Sequence, residues 1–249
     1  MGNTQSVFVG EVYDSVRFDS FKVVEYVNHK EVTVKFLNTG YTTKTTANNI
    51  MTGLVKDKLM PFVVGEGFCN APTTDEGGNI LKEYRLWVSM LTRCYCEKYL
   101  NRYPAYKDCI VSDSFKDFTV FKKWCNPQVF TNGYVLDKDI LVKGNRVYSE
   151  DTCCFVPQEV NLLIVNNKAS RGEYPIGVTK CREDKFRARL NKGRGVVEHL
   201  GYFTTSNYAF LAYKQAKEAY IKEVANKWKD QIDPRAYEAL ISWNVEITD

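Results

Sequence analysis

Near residue 205 the hydrophobic period of this chain changes from two to between three and four. Before that point "IGVTKCRE", "KFRARLNK" and "VEHLGYF" alternate as strands do, separated by short polar or glycine-bearing turns. After it Ala209, Tyr213, Ala216, Tyr220, Val224 and Trp228 recur at helical spacing. Within "KFRARL", alternation puts Lys185, Arg187 and Arg189 on one face and Phe186, Ala188 and Leu190 on the other. The apolar face needs a cover, and the stripe that begins at about Ser206 supplies one. The pattern predicts a three-stranded sheet packed on a helix. A shorter helix follows from Asp233-Pro234, with Asp as cap and Pro in the first helical position.

The opposite end is also β-rich. In residues 7–66 the runs "FKVVEYVN" and "EVTVKFLNTGY" flank Asn28-His29-Lys30, with Gly10, Gly40 and Gly53 at turn positions. Five or so short strands in this span predict a small β-barrel of the Src-homology kind, with His29 a solvated turn residue. "NAPTTDEGGN" (70–79) reads as a linker. Helical spacing then returns in Tyr84, Trp87, Val88, Leu91, Cys94 and Tyr95, and again in Phe115, Phe118, Phe121 and Trp124, with Ser112 or Asp113 as the second cap. A second linker, "VNNKASRGEYP", spans 165–175. At 249 residues the chain suits two or three compact units. The expectation is an α+β protein in three parts: 1–69 an accessory barrel, 79–165 a central unit and 172–249 a sheet with C-terminal helices.

With 44% apolar and 26% charged residues, an ordered globular protein is expected. No apolar run approaches the roughly 18 residues of a membrane span, and the N-terminus lacks the layout of a secretory signal. A soluble, cytoplasmic protein with no membrane partner is expected. "MGNTQS" fits the N-myristoylation pattern through Gly2 and Ser6, but a strand begins at Val7 and no polybasic second signal follows, so stable anchoring is not expected. The eight cysteines form no C-x-x-C pair; buried, reduced thiols are expected, and no motif stands behind a zinc set drawn from Cys94, Cys109 and Cys153.

The net charge of +4 is less informative than its distribution. Residues 168–200 hold nine basic side chains against four acidic ones, an excess of five, larger than that of the whole chain. Lys180, Arg182, Lys185, Arg187, Arg189, Lys192 and Arg194 are therefore the candidate contacts to double-stranded DNA: a sheet can enter a major groove, and Arg forks suit guanine edges and phosphates. The plainer alternative is a solvated strand face. His199, in the third strand, reads as a packed or edge residue. The framework "GVTKCREDKFRARL … HLGYFTTSNYAFLAYKQAKEAY" resembles the Apetala-type DNA-binding domain carried by mobile endonucleases of phages. That resemblance implies DNA contacts from the sheet.

Residues 133–161, "GYVLDKDILVKGNRVYSEDTCCFVPQEVN", read as strand, turn at Lys143-Gly144-Asn145, strand and helix, a ββα pattern. With "WVSMLTRCY" and "CIVSDSFKDFTVFKKW" before them they resemble phage-encoded proteins related to the HNH homing endonucleases. The resemblance implies a metal-dependent DNA nicking or cleaving enzyme, located in the host-cell cytoplasm if phage-encoded. The family's chemistry uses a histidine base at the end of the first strand. Here Asp139 or Lys138 stands in that place, and no histidine occurs between His29 and His199. Asp137, Asp139 and Asn161 are the candidate ligands for Mg2+, and Asp139 with Lys138 the candidate catalytic pair. On the other reading Asp137 and Asp139 hold the turn, Asn161 braces the helix, and the chain is a non-catalytic DNA-binding or host-interaction protein on a degenerate nuclease scaffold. The N-terminal barrel would be an accessory contact to DNA or to a protein partner.

Overall fold

The structure, a computed structural model, describes residues 7–128, 133–164, 172–193 and 195–249. Gly2 and Ser6, and among the basic residues Lys168, Arg171 and Arg194, lie outside these. Helix (35%) and strand (26%) are both abundant and the strands form several small sheets, as an α+β class requires. The chain divides into two compact units, Met1–Cys125 and Asn126–Asp249.

The first unit begins with an antiparallel sheet in the order β1 (Val12–Tyr13), β2 (Phe21–Asn28), β3 (Glu31–Phe36), β4 (Thr42–Thr45). Asn28 pairs with Glu31, so His29 and Lys30 form the two-residue hairpin turn the sequence implied. Alternation in β3 buries Val32, Val34 and Phe36, which join Phe21, Val23, Ala47 and Ile50 in one core. The predicted barrel does not close: among the described residues the sheet stays open. Beyond α1 (Ala47–Met51) no further strand joins this sheet among the described residues, and side chains hold part of the chain. Ser15 Oγ donates to the carbonyls of Gly53 (3.2 Å) and Val55 (2.8 Å). The buried Asp57 carboxylate accepts from Thr39 Oγ1 (2.5 Å) and Leu59 N (2.9 Å). Backbone groups satisfied in this way have no ladder left to build.

The helices of this unit follow their apolar spacing. α2 (Lys82–Tyr95) buries Trp87, Met90, Leu91 and Cys94. It is followed by α3 (Glu97–Arg102), a 3-10 turn at Pro104–Tyr106 and the two-residue strand β5 (Ile110–Val111). The helix expected from Ser112 is two helices, α4 (Asp113–Lys116) and α5 (Phe118–Cys125). Ser112 caps the first. Asp117 breaks the run because its extended backbone bridges to Phe68 and its carboxylate accepts from Thr119 N (2.7 Å), capping the second. Phe115 and Phe121 still meet at 5.1 Å, and Trp87 Nε1 donates to the Phe115 carbonyl (2.7 Å). These aromatics are core.

In the second unit β6 (Tyr134–Asp137) pairs antiparallel with β8 (Cys154–Pro157), with the short β7 (Val147–Tyr148) between them in sequence and α6 (Gln158–Ile164) directly after. The local ββα order is therefore present. β9 (Val178–Arg182), β10 (Lys185–Gly193) and β11 (Val196–Phe203) form an antiparallel sheet with β10 in the middle. α7 (Ser206–Trp228) packs across all three strands and α8 (Pro234–Ile241) against α7. Thr205 and Asp233 are the helix caps, with Pro234 in the first turn as expected. One core runs through the unit, with Ile140, Val156 and Val160 from the ββα stretch, Leu190 from β10, and Tyr213, Ile221 and Val224 from α7. Glu159 on α6 fastens the two parts, accepting from Lys227 Nζ (2.6 Å) and Trp228 Nε1 (2.8 Å). Among the described residues no helix is long and apolar enough to cross a membrane.

Candidate nucleic-acid interface

Alternation in β10 sets the two faces of the three-stranded sheet. Ala188 and Leu190 are fully buried beneath α7, while Lys185 and Arg189 are exposed on the other side. Gly177, just before β9, lets the strand come flush with the helix: its φ is +77°, and a Cβ there would lie 2.1 Å from the Tyr213 ring. The β9–β10 hairpin closes through the pair Arg182–Lys185 around Glu183-Asp184, with Asp184 in the left-handed region at φ 51°. That pair and Arg187 and Arg189 lie along the open face.

Arg187 is the centre of this face, opposite Thr179 on β9 and Tyr202 on β11. Its Nε is shielded from solvent with no hydrogen-bond partner, the single side-chain polar atom in that condition among the described residues. Lys185 Nζ sits over the Tyr202 ring at 4.3 Å from its centroid, and His199 lies against the same ring at 4.9 Å. His199 and Tyr202 are both exposed. They are three residues apart, a spacing that regular alternation would put on opposite faces. A bulge in β11 reconciles them: Ala188 pairs with Gly201 and Arg189 with His199, so Leu200 is an extra residue tucked toward the core. The glycine inside "HLGYF" was the available signal.

Two of the basic candidates stand elsewhere. Lys180 pairs with Phe186 and so shares the helix side of the sheet. Lys192 runs toward α7: its Nζ binds Glu198 (2.9 Å) and lies over the Tyr220 ring, whose hydroxyl donates to the Lys192 carbonyl (2.9 Å). Glu198 holds the Lys192 ammonium pKa above its ordinary value. Pairing Lys192 across the sheet also takes Glu198 to the helix side, opposite Leu190. The paired residues of the open face are left without an acid, while Glu183 and Asp184 stand at the hairpin tip.

The ββα stretch brings Asp137, Lys138 and Asp139 together but commits them to one another. Asp137 is buried, and its Oδ1 accepts from the backbone N–H groups of Asp139 and Ile140, both at 2.7 Å. Burial pushes its pKa up; the bond from Ile140 opposes this, and the charge of Asp139 adds to it. Lys138 is buried as well. Its ammonium donates to both oxygens of Asp139 (2.8 Å each) and to the Asn145 carbonyl (2.9 Å), which uses all three of its protons. Asn145 completes the turn by donating to the carbonyls of Lys138 (2.8 Å) and Val147 (2.7 Å). Asn161 is half-buried on α6, and no hydrogen bond joins its side chain to either aspartate.

The cation beside Asp139 is the Lys138 ammonium, and of the Asp137 oxygens Oδ1 is taken by two backbone N–H groups. Among the described residues no group of three or more His, Cys, Asp or Glu side chains is placed to hold a metal ion. All eight cysteines are free thiols, and burial pushes Cys153 up to about 12 and Cys154 higher still, so neither is poised as a thiolate. No protein-family model, curated protein or solved structure matches the chain.

Proposed function

We propose that the protein binds double-stranded DNA through the open face of β9–β11, without cutting it. The observation that carries this reading is the Arg187 guanidinium. Its shielded Nε lacks an acceptor at the centre of a face that also presents Arg182, Lys185 and Arg189. A buried donor without a partner is costly, and a guanidinium that turns outward onto a phosphate oxygen or a guanine edge gains the acceptor it lacks. The resemblance of residues 174–225 to Apetala-type DNA-binding domains supports the same face. The ββα stretch then serves as scaffold for the shared core, with Lys138 neutralising its own acidic turn. Nuclease activity would need Lys138 to leave Asp139 first.

A duplex-binding titration across salt tests the proposal. Binding should weaken steeply with salt. In the Arg187→Ala/Arg189→Ala variant affinity at moderate salt should fall about tenfold or more, with the log–log salt slope shallower by about two. Unchanged affinity and slope would sink the sheet-face reading. Incubating plasmid with Mg2+ or Mn2+, with a chelator control, checks the second clause: nicking that disappears in Asp137→Ala/Asp139→Ala would restore the metal-dependent enzyme.

A further inference from the structure

Helix α3 and the 3-10 turn after it contribute no buried residue to the first unit, yet they carry Tyr99 and Tyr106, and Tyr103 joins them. Tyr99 and Tyr103 meet with ring centroids 4.6 Å apart, and Tyr106 stands edge-on to Tyr99 at 5.9 Å. Tyr103 is 42% exposed. None of the three hydroxyls is hydrogen-bonded among the described residues, and Tyr99 and Tyr106 are half-buried. The Arg102 guanidinium lies over the Tyr103 ring at 5.5 Å, and the Tyr99 phenol, its pKa raised by burial, lies within the field of Arg93 and Arg102. Lys98 and Lys107 are exposed on the same short stretch, against Glu97 and Asp108. A ring cluster that opens to solvent at Tyr103 marks a contact surface, and its excess of basic over acidic neighbours selects an anionic partner.

We infer that this cluster binds unpaired nucleotides, with bases stacked on Tyr99 and Tyr103 and phosphates held by Arg102, Lys98 and Lys107. Stacking accepts any base because every base has a π-face, and Arg adds to it through the ring quadrupole. A neutral sugar or a proline-rich peptide would use the rings but gain nothing from the cations. The inference does not rest on duplex binding by the sheet, which involves other residues in the other unit.

The test is binding of a labelled oligothymidylate to the full chain at low and moderate salt, beside a blunt duplex. The Tyr99→Ala/Tyr103→Ala variant should bind the single strand at least about tenfold more weakly. Its duplex affinity and circular dichroism should be those of the parent. Tyr99→Phe/Tyr103→Phe keeps the rings and should bind as the parent does. Exposed Tyr103→Ala alone gives the same reading, in smaller measure, should the double variant misfold. Single-strand binding that survives loss of both rings overturns the inference. So does a parent protein that ignores the oligothymidylate, or that takes up a proline-rich peptide or neutral oligosaccharide in its place.

Discussion

Asp137 is a carboxylate used as a backbone acceptor, and its buried charge is an expense that the amide of asparagine would avoid. Asp137→Asn keeps an oxygen for the Asp139 and Ile140 N–H groups and should stay within about 1 kcal/mol of the parent at pH 7. Asp137→Ala strands both donors and should cost about 2 kcal/mol. The sign of the pH dependence follows from burial. The folded pKa is raised, so between the ordinary value near 4 and the folded value the native state binds more protons than the unfolded one. Parent stability relative to Asp137→Asn is therefore greatest below about pH 4 and falls as pH rises through that window. Urea melts across pH check it, and a difference that does not change with pH would refute it. The short polar turn was readable from Asp137 to Asn145. The inward course of Lys138 was not, because a lysine beside two aspartates looks the same in sequence whether it faces solvent or folds back on its neighbour.

Helices and strands were legible where one period ran without interruption, as in α2, α7 and β10. A helix was misread where a side chain bonded the backbone, as at Asp117, and the extra residue at Leu200 lay inside a strand that the alternation had found. Two substitutions test the packing of α7. Gly177→Ala forces a methyl group into the Tyr213 ring and a left-handed φ onto an L-residue, and should cost about 3 kcal/mol in a chemical melt. Lys217, midway along α7, has no ion-pair partner among the described residues, and burial lowers its pKa to about 8. Below that pH the folded state must carry a desolvated charge, and stability should rise from about pH 8 to about 10.5 as the unfolded chain holds its proton longer. Lys217→Met should raise the melting temperature at pH 7 and lose that advantage above about pH 10.

At the scale of the molecule, the barrel was over-read because five strand-like runs count as five strands only if each finds a ladder. Residues 54–66 find Ser15 and Asp57 contacts and a local bridge from Val63 to Gly67, and none pairs with the sheet. The sequence separated the ββα stretch from the sheet at the linker 165–175, and the fold runs one core through both. Residues 126–249 expressed alone should therefore melt in one cooperative transition and retain the duplex binding proposed for the sheet. Two transitions in that fragment, by calorimetry or circular dichroism, would show that the shared core does not unite them.

The bulge at Leu200 also bears on length. β11 carries one residue more than its pairing with β10 needs, so the strand has slack at a single place. A chain shortened by Leu200 keeps His199 and Tyr202 facing outward, because simple alternation then does what the bulge does now. A chain shortened by Ala188 makes Arg187 and Arg189 neighbours and turns one of them inward. Insertions and deletions in this sheet should accordingly be tolerated at the bulge and rejected one strand away, although both positions are apolar.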